Sequence, residues 1–395
     1  MKILITTPVL FDKMSSFNHL FRDLLESFLK DGHSITRIVA CEECDNEEYS
    51  LGIVNENIDY AKVRRKQQEK QNIFMRYLAD NITNFKMAFK MLTVKDVDVL
   101  FEDLSYASFW SVLIAKIKGI KIVLMVQDVW PDNAVQGNII KGNSFLYKYF
   151  ELLQKFVYIN ACQIICISDD IKVFLLEKGI KSEKISVIYN WASSEHCVKL
   201  SWEKNKFVKK YGLDRDKFYA VYAGNIGKMQ NVEIVLQAAL KLRKNDDIHF
   251  IIVGDGARKK HITKIVKEKN LKNVSLYPMQ SSELALSIYS FAGVNIIPLV
   301  PGAIKTAFPS KTPVCLSCLK PVIMCIESDS KFGKVLRHFK AGHVVDPSDN
   351  KGLAECILNI SKKGKMETSS MKTLFNKYFC RSKNLRLYCE IINHI

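Results

Sequence analysis

Two doubly wound α/β domains facing one another across a cleft are what this sequence predicts, on three observations. Apolar, strand-like runs alternate with helix-like runs along the chain, the signature of βαβ units and parallel sheets. The alternation stops in a polar stretch, Ala192 to Asp216, rich in Ser, Glu and Lys, and then restarts. At 395 residues the chain is also longer than one ordinary core supports. Hydrophobic residues at 48% and charged residues at 25% describe a soluble globular protein and exclude a disordered or fibrous one.

Each element has its own warrant. The opening run, MKILITTPVLF, carries one Lys and a short apolar stretch, as a secretion signal would. Thr6, Thr7 and Pro8 interrupt it and no small-residue cleavage site follows, so a first strand from Ile3 to Val9 is the better reading. Further strands are expected at Ile35 to Ala40, Val97 to Phe101, Ile122 to Val126, Ile164 to Ile167 and Ile185 to Tyr189. Helices fill the gaps, for example Phe17 to Lys30, followed by Gly32 where a left-handed cap is wanted. After the polar linker, strands recur at Tyr219 to Ala223, His249 to Val253, Val274 to Tyr277, Val294 to Leu299, Val322 to Ile326 and His343 to Val345. The expected organisation is a first domain over 1–195, a second over 196–370, and a helical segment, 371–395, packing across both. No run of about 18 apolar residues occurs, so no membrane-spanning helix is expected.

The charge narrows the partners. Fifty-eight basic against 41 acidic residues give +17, which favours nucleic acid, anionic lipid or phosphorylated small molecules. The basic residues are dispersed and no nucleic-acid-binding motif appears, which argues against the first. The 11 cysteines are odd in number and many sit in apolar segments (Cys162, Cys166, Cys325), the pattern of reduced thiols in a cytoplasmic protein. Two C-x-x-C pairs, Cys41–Cys44 and Cys315–Cys318, lack a His pair at metal spacing, so buried thiols are preferred to zinc.

Candidate chemistry lies at strand exits. The stretch KIVLMVQDVWPDN (121–133) places Asp128, Trp130 and Pro131 after an apolar strand, where ligands of open α/β sheets bind; the plainer role for Asp128 is a helix cap. VYAGNIGKMQN (221–231) puts Gly224, Asn225, Gly227 and Lys228 between a strand and the helix starting near Val232. Such a turn lets a phosphate approach the backbone, or is turn chemistry alone. Gly254-Asp255-Gly256 repeats the pattern after the next strand. In FPSKTPVCLSCLKPV (308–322), Ser310 is a plausible helix cap, setting Lys311 at a helix amino terminus. There a cation is disfavoured unless an anion shares the site, and a surface lysine in a loop is the alternative.

Read together, these segments resemble bacterial retaining glycosyltransferases of family 4, which have the GT-B fold. The likeness is greatest to O-antigen and capsule-cluster members such as N-acetyl-fucosamine transferases. It is carried by QDVWPDN (127–133), ISDDIK (167–172), VIYNW (187–191), YAGNIGKMQN (222–231), VGDG (253–256), IIPLVPG (296–302) and PSK (309–311), in the family's order. The resemblance implies a nucleotide-sugar donor on the second domain, held by Gly224, Asn225, Gly227, Lys228, Gly254, Ser310 and Lys311. It implies an acceptor on the first domain near Ser15, Ser16 and Trp130, with Asp128 as the catalytic carboxylate and no metal or other cofactor. The chain departs from the family at Thr306 and Val314, where two glutamates are common, at Leu319, where a glycine is usual, at Gln127 for His and at Asn225 for Arg.

The acceptor is expected to be lipid-linked. From Lys62 to Lys95 lie nine basic and two acidic residues interleaved with large apolar ones, which reads as a peripheral contact with the anionic inner face of the membrane. Its plainer alternative is a solvated helix whose apolar stripe joins the core. Two rivals stay open: a catalytically silent GT-B homologue serving as a partner subunit, and a nucleotide-sugar epimerase of the same fold.

Overall fold

The computed structural model describes residues 1–7, 17–41, 53, 55–64, 73–105, 107–192, 194–281, 284–363 and 368–395. Ser15 and Ser16 lie outside the described residues. The chain divides into two compact units. One comprises Met1–Val135, Ile140–Ile188 and Ser382–Ile395, the other Gln136–Ile139 and Tyr189–Arg381.

The first unit runs β1 (Lys2–Thr7), α1 (Phe17–Lys30), β2 (Ser34–Cys41), β3 (Ile58–Arg64), α2 (Ile73–Met91), β4 (Val99–Asp103), α3 (Phe109–Ile117), β5 (Lys121–Val126), α4 (Asp132–Gln136), α5 (Phe145–Asn160), β6 (Gln163–Cys166), α6 (Asp169–Glu177) and β7 (Ile185–Val187). Its seven strands are all parallel, in the order β3-β2-β1-β4-β5-β6-β7. The order reverses between β1 and β4. At such a point the connecting helices diverge to opposite faces and leave a crevice at the strand ends. Central strands buried on both faces explain the continuous apolar run Ile122–Val126, fully packed in β5.

The second unit runs α7 (Lys206–Tyr211), β8 (Phe218–Ala223), α8 (Val232–Lys241), β9 (Ile248–Val253), α9 (Lys259–Glu268), β10 (Val274–Tyr277), α10 (Ala285–Ser290), β11 (Val294–Pro298), α11 (Thr312–Ser317), β12 (Val322–Cys325), α12 (Lys331–His338), β13 (His343–Val345), α13 (Asn350–Lys363) and α14 (Ser369–Tyr378). Six parallel strands take the order β10-β9-β8-β11-β12-β13, with the reversal between β8 and β11. The last helix, α15 (Arg381–Asn393), counts almost wholly with the first unit, where Tyr388 packs edge-on against Phe101.

Four expectations change. The segment 371–395 is not one helix: it breaks at Phe379–Cys380 into α14 and α15, so each half serves a different unit. The polar stretch 192–216 is not a plain linker, because α7 inside it buries Phe207 against Phe291 and Tyr277, and the Asn205 side chain caps the helix. Strand β3 is an addition that the pattern IDYAKVR concealed. It is an edge strand whose charged residues face water, the usual protection of an edge. Of the basic stretch from Lys62 to Lys95, the described residues are the end of β3, helix α2 and the turns after it; residues 65–72 lie outside the described residues.

Phe308 anchors the loop that leads into α11. It is buried and meets Tyr189 and Phe332 edge-to-face at 5.2 and 4.9 Å, with Phe379 stacked at 6.4 Å. Large-to-small changes at such sites cost transfer energy and leave a cavity, so Phe308→Ala is expected to destabilise the protein by about 3–5 kcal/mol. Urea unfolding monitored by circular dichroism checks this.

Candidate active site

The exits of β8 and β9 interlock. Gly224 (φ +137°) follows β8 and its N–H donates to the Val253 carbonyl at 2.9 Å, while Ile226 N–H donates to the Asp255 carbonyl at 2.7 Å. A side chain on Gly254 would collide with the Gly224 carbonyl, and one on Gly256 with the Ile226 carbonyl and the Asn225 amide. A Cβ on Gly227 would sit 2.8 Å from Asn225 Nδ2. The two turns therefore pack backbone against backbone, which only glycine permits.

Lys311 lies against this pair of turns. Its Nζ stands 3.9 Å above the centroid of the Tyr222 ring and 2.8 Å from where a Gly224 Cβ would be. The Tyr222 hydroxyl donates to the Asn225 carbonyl at 2.5 Å, so the ring is clamped under the amine. Lys311 forms no hydrogen bond or ion pair with any described residue. Burial alone pushes its amine down to about 8. A cation held on an aromatic face beside two backbone turns has the charge to pair with an anion. Lys228, by contrast, is exposed at the turn.

Ser310 does not cap α11. The residue flanking that helix is Lys311 itself, in helical conformation, and Thr312 N–H donates to the Pro309 carbonyl at 3.0 Å, which leaves the Ser310 side chain exposed. Thr306 is buried and its hydroxyl donates to the Ala303 carbonyl, and Val314 is half-buried one turn beyond Lys311. Leu319 takes the left-handed conformation (φ +53°) that the family's glycine would occupy freely. At the exit of β12, Glu327 Oε1 accepts from Gly302 N–H at 2.5 Å while its Oε2 is buried without a partner among the described residues.

In the first unit, three carboxyls stand at the exits of β4 and β5. Glu102 is buried and accepts hydrogen bonds from the hydroxyls of Thr6 and of Ser111, the latter at 2.7 Å. Burial lifts it to about 7 against the pull of those donors. Asp103 is lifted to about 8 by burial and by the charges of Glu102 and Asp128. Asp128 is exposed at the strand exit, and the protein packed around it raises its carboxyl above the usual range. Sequence reasoning reached Asp128 and missed Glu102 and Asp103, although FED at the end of an apolar strand is the same strand-exit signal. Trp130, with Pro131, walls a separate cavity of about 370 Å³ shared with Lys148, Gln154, Tyr158 and Lys178.

Two parallel-sheet, Rossmann-like units, the second with interlocked glycine turns at its strand reversal, are the build of GT-B glycosyltransferases. Residues 18–196 match the model of Glycosyltransferase Family 4, and residues 203–372 match that of Glycosyl transferases group 1. Between them the two models take in most of the chain, which belongs to this glycosyltransferase family. It is 24% identical over 273 residues to a protein of Pseudomonas aeruginosa named Probable glycosyltransferase WbjE, covering 67% of each chain. It is 26% identical over 233 residues to the colanic acid biosynthesis glycosyl transferase WcaI of Escherichia coli (strain K12), covering 58% of this chain and 56% of that one. The second alignment thus spans little more than half of its relative. Among solved structures, HepE of Anabaena in complex with UDP and glucose superposes over 100% of both chains with a TM-score of 0.75 at 14% identity, a likeness of fold.

The raised carboxyls carry a signed consequence for stability. In the folded state they hold protons that the unfolded chain releases near pH 4, so their contribution to stability is greatest below that pH and is lost as pH rises through about 7 and 8. Asp103→Asn is expected to match the wild type near pH 4 and to melt a few degrees higher near pH 8. Melting temperature measured across that range checks both ends.

Proposed function

We propose that the protein is a retaining, metal-independent glycosyltransferase. On this reading it moves a sugar from a UDP-linked, N-acetyl-fucosamine-like donor to a lipid-linked oligosaccharide in the assembly of O-antigen or capsular polysaccharide. The second unit holds the donor, the first holds the acceptor, and the work is done at the inner face of the inner membrane. The observation that carries this is the Lys311 amine, desolvated on Tyr222 beside Gly224 and without an ion pair. Family membership supports glycosyl transfer, the colanic acid relative supports a surface polysaccharide, and the UDP bound by HepE supports a uridine donor.

The chemistry follows from charge. Breaking the sugar–phosphate bond leaves an oxocarbenium-like sugar and builds negative charge on the departing diphosphate. Lys311 and Lys228 stabilise that charge, the interaction that usually contributes most to catalysis. Asp128, whose carboxyl ionises above the usual range, accepts the acceptor's hydroxyl proton or holds a sugar hydroxyl. Glu327, with one free oxygen beside Gly302, is a carboxylate able to grip a donor hydroxyl although the helix position is Val314.

Purified protein incubated with UDP sugars and a lipid-linked acceptor analogue is expected to give glycosylated product, read by mass spectrometry. Asp128→Asn should lower turnover about a hundredfold and leave UDP binding intact. Lys311→Met should weaken UDP binding by about 2–4 kcal/mol, the worth of one charge-assisted contact in a desolvated site. A wild type that binds no nucleoside diphosphate of any base would overturn the proposal and favour the silent-partner reading.

A further inference from the structure

Helix α2 carries apolar residues on its exposed face as well as on its buried one. Leu78, Ile82, Phe85, Phe89 and Leu92 recur at spacings of four and three, forming one stripe, and all are exposed, Phe89 by 63%. The opposite, buried face carries Met87, Ala88 and Met91 and, on the same side, Asp80, Thr83 and Asn84. The last two donate to carbonyls one turn back in the helix, Thr83 to Ala79 and Asn84 to Asp80, each at 2.8 Å. Helix α5 repeats the stripe with Phe145, Tyr149, Leu152 and Ile159, Phe145 exposed by 85% and Leu152 by 68%. Its buried face carries Phe150, Gln154, Val157 and Tyr158.

The two stripes are one surface. Helix α3 lies between them, and a chain of ring contacts crosses it. Phe85 meets Trp110 at 5.1 Å, Trp110 meets Phe109 at 5.2 Å, and Phe109 meets Phe156 of α5 at 5.1 Å. Ile117 adds a side chain exposed by 69%. A contiguous apolar surface across three helices exceeds the scattered apolar residues that a soluble monomer normally shows.

Charge says what covers it. Exposed Lys86, Lys90, Lys116, Lys148 and Lys155 border the face, and Lys116 Nζ stands 5.4 Å over the Phe156 ring. The acids within these three helices are Asp80, which is buried, and Glu151, which is paired with Lys178 at 3.1 Å. Two copies of such a face would oppose like charges. No described helix is long and apolar enough to cross a membrane.

We propose that α2, α3 and α5 together form the seat of this protein on an anionic bilayer, apolar side chains entering between the headgroups and lysines meeting lipid phosphates. This rests on the lipid-linked-acceptor reading above and extends it, because the contact is a three-helix plateau and not the basic stretch from Lys62 to Lys95 alone. The full chain is expected to sediment with phosphatidylcholine vesicles containing phosphatidylglycerol, and much less with phosphatidylcholine alone. Phe89→Asp and Leu152→Asp should each weaken this about tenfold, and the Lys86→Gln, Lys90→Gln, Lys116→Gln triple variant about a hundredfold at low salt. Melting temperatures should stay at the wild-type value, because all these side chains are exposed.

Wild type that ignores anionic vesicles at low salt, or variants that bind like wild type, would overturn the proposal. So would a dimer in sedimentation velocity that Phe89→Asp dissolves. UDP titration of the same preparations separates the two readings. UDP binding without vesicle binding sinks the membrane seat and leaves the donor site, whereas vesicle binding without UDP binding does the reverse.

Discussion

The strand exits of the second unit depend on a side chain that is not there. Because Gly254 has no Cβ, the Gly224 carbonyl can press against the backbone of the neighbouring turn, and the exits of β8 and β9 merge into one surface. The same absence at Gly224 makes room for the Lys311 amine over Tyr222. Tyr222 is in turn clamped through its hydroxyl to Asn225, and the Lys311 loop is anchored by Phe308 in its aromatic cluster. Sheet, turn and aromatic packing thus converge on one amine that has lost water without gaining a counter-ion. That arrangement destabilises the ligand-free protein and favours whatever anion arrives.

The first unit stores the opposite imbalance. Glu102, Asp103 and Asp128 crowd the ends of two adjacent strands; burial keeps Glu102 and Asp103 from ionising at the usual carboxyl pH, and the charges of Glu102 and Asp128 add to this at Asp103. They titrate as a group, so the ionisation of one shifts the others. A structural ion-pair network would have relieved this with a nearby cation, whereas here hydroxyl donors from Thr6 and Ser111 do part of that work. Strand-exit carboxyls left in that condition suit proton transfer, and electrostatic tension of opposite sign in the two units suits a reaction that parts a cation-like sugar from an anion.

Much of this was legible in the sequence where one strong local cause operates. Alternating apolar runs marked both sheets, because a parallel strand buried on two faces has few other ways to be written. Gly224, Gly254 and Lys311 stood out singly, but that Gly224 and Lys311 meet on Tyr222 is a tertiary fact with no sequence period. Strand β3 was concealed because an edge strand is selected for charge, not for burial. The Ser310 cap failed because a Pro309 turn satisfied the same helix N–H groups first. Helix α2 showed its basic and apolar residues plainly, yet periodicity cannot tell which face of an amphipathic helix turns inward. The buried Asp80 and the exposed Phe89 decide that.

The central claim is that a desolvated, unpaired Lys311 receives the donor's diphosphate. An amine lowered to about 8 is mostly uncharged at a pH half a unit higher, and must take up a proton when an anion binds. Titration calorimetry of UDP at about pH 8.5, repeated in buffers of different ionisation enthalpy, measures that uptake directly. The account predicts net proton uptake in the wild type that grows as pH rises, and none in Lys311→Met. UDP binding that takes up no proton at that pH, or an uptake that survives the substitution, would contradict it.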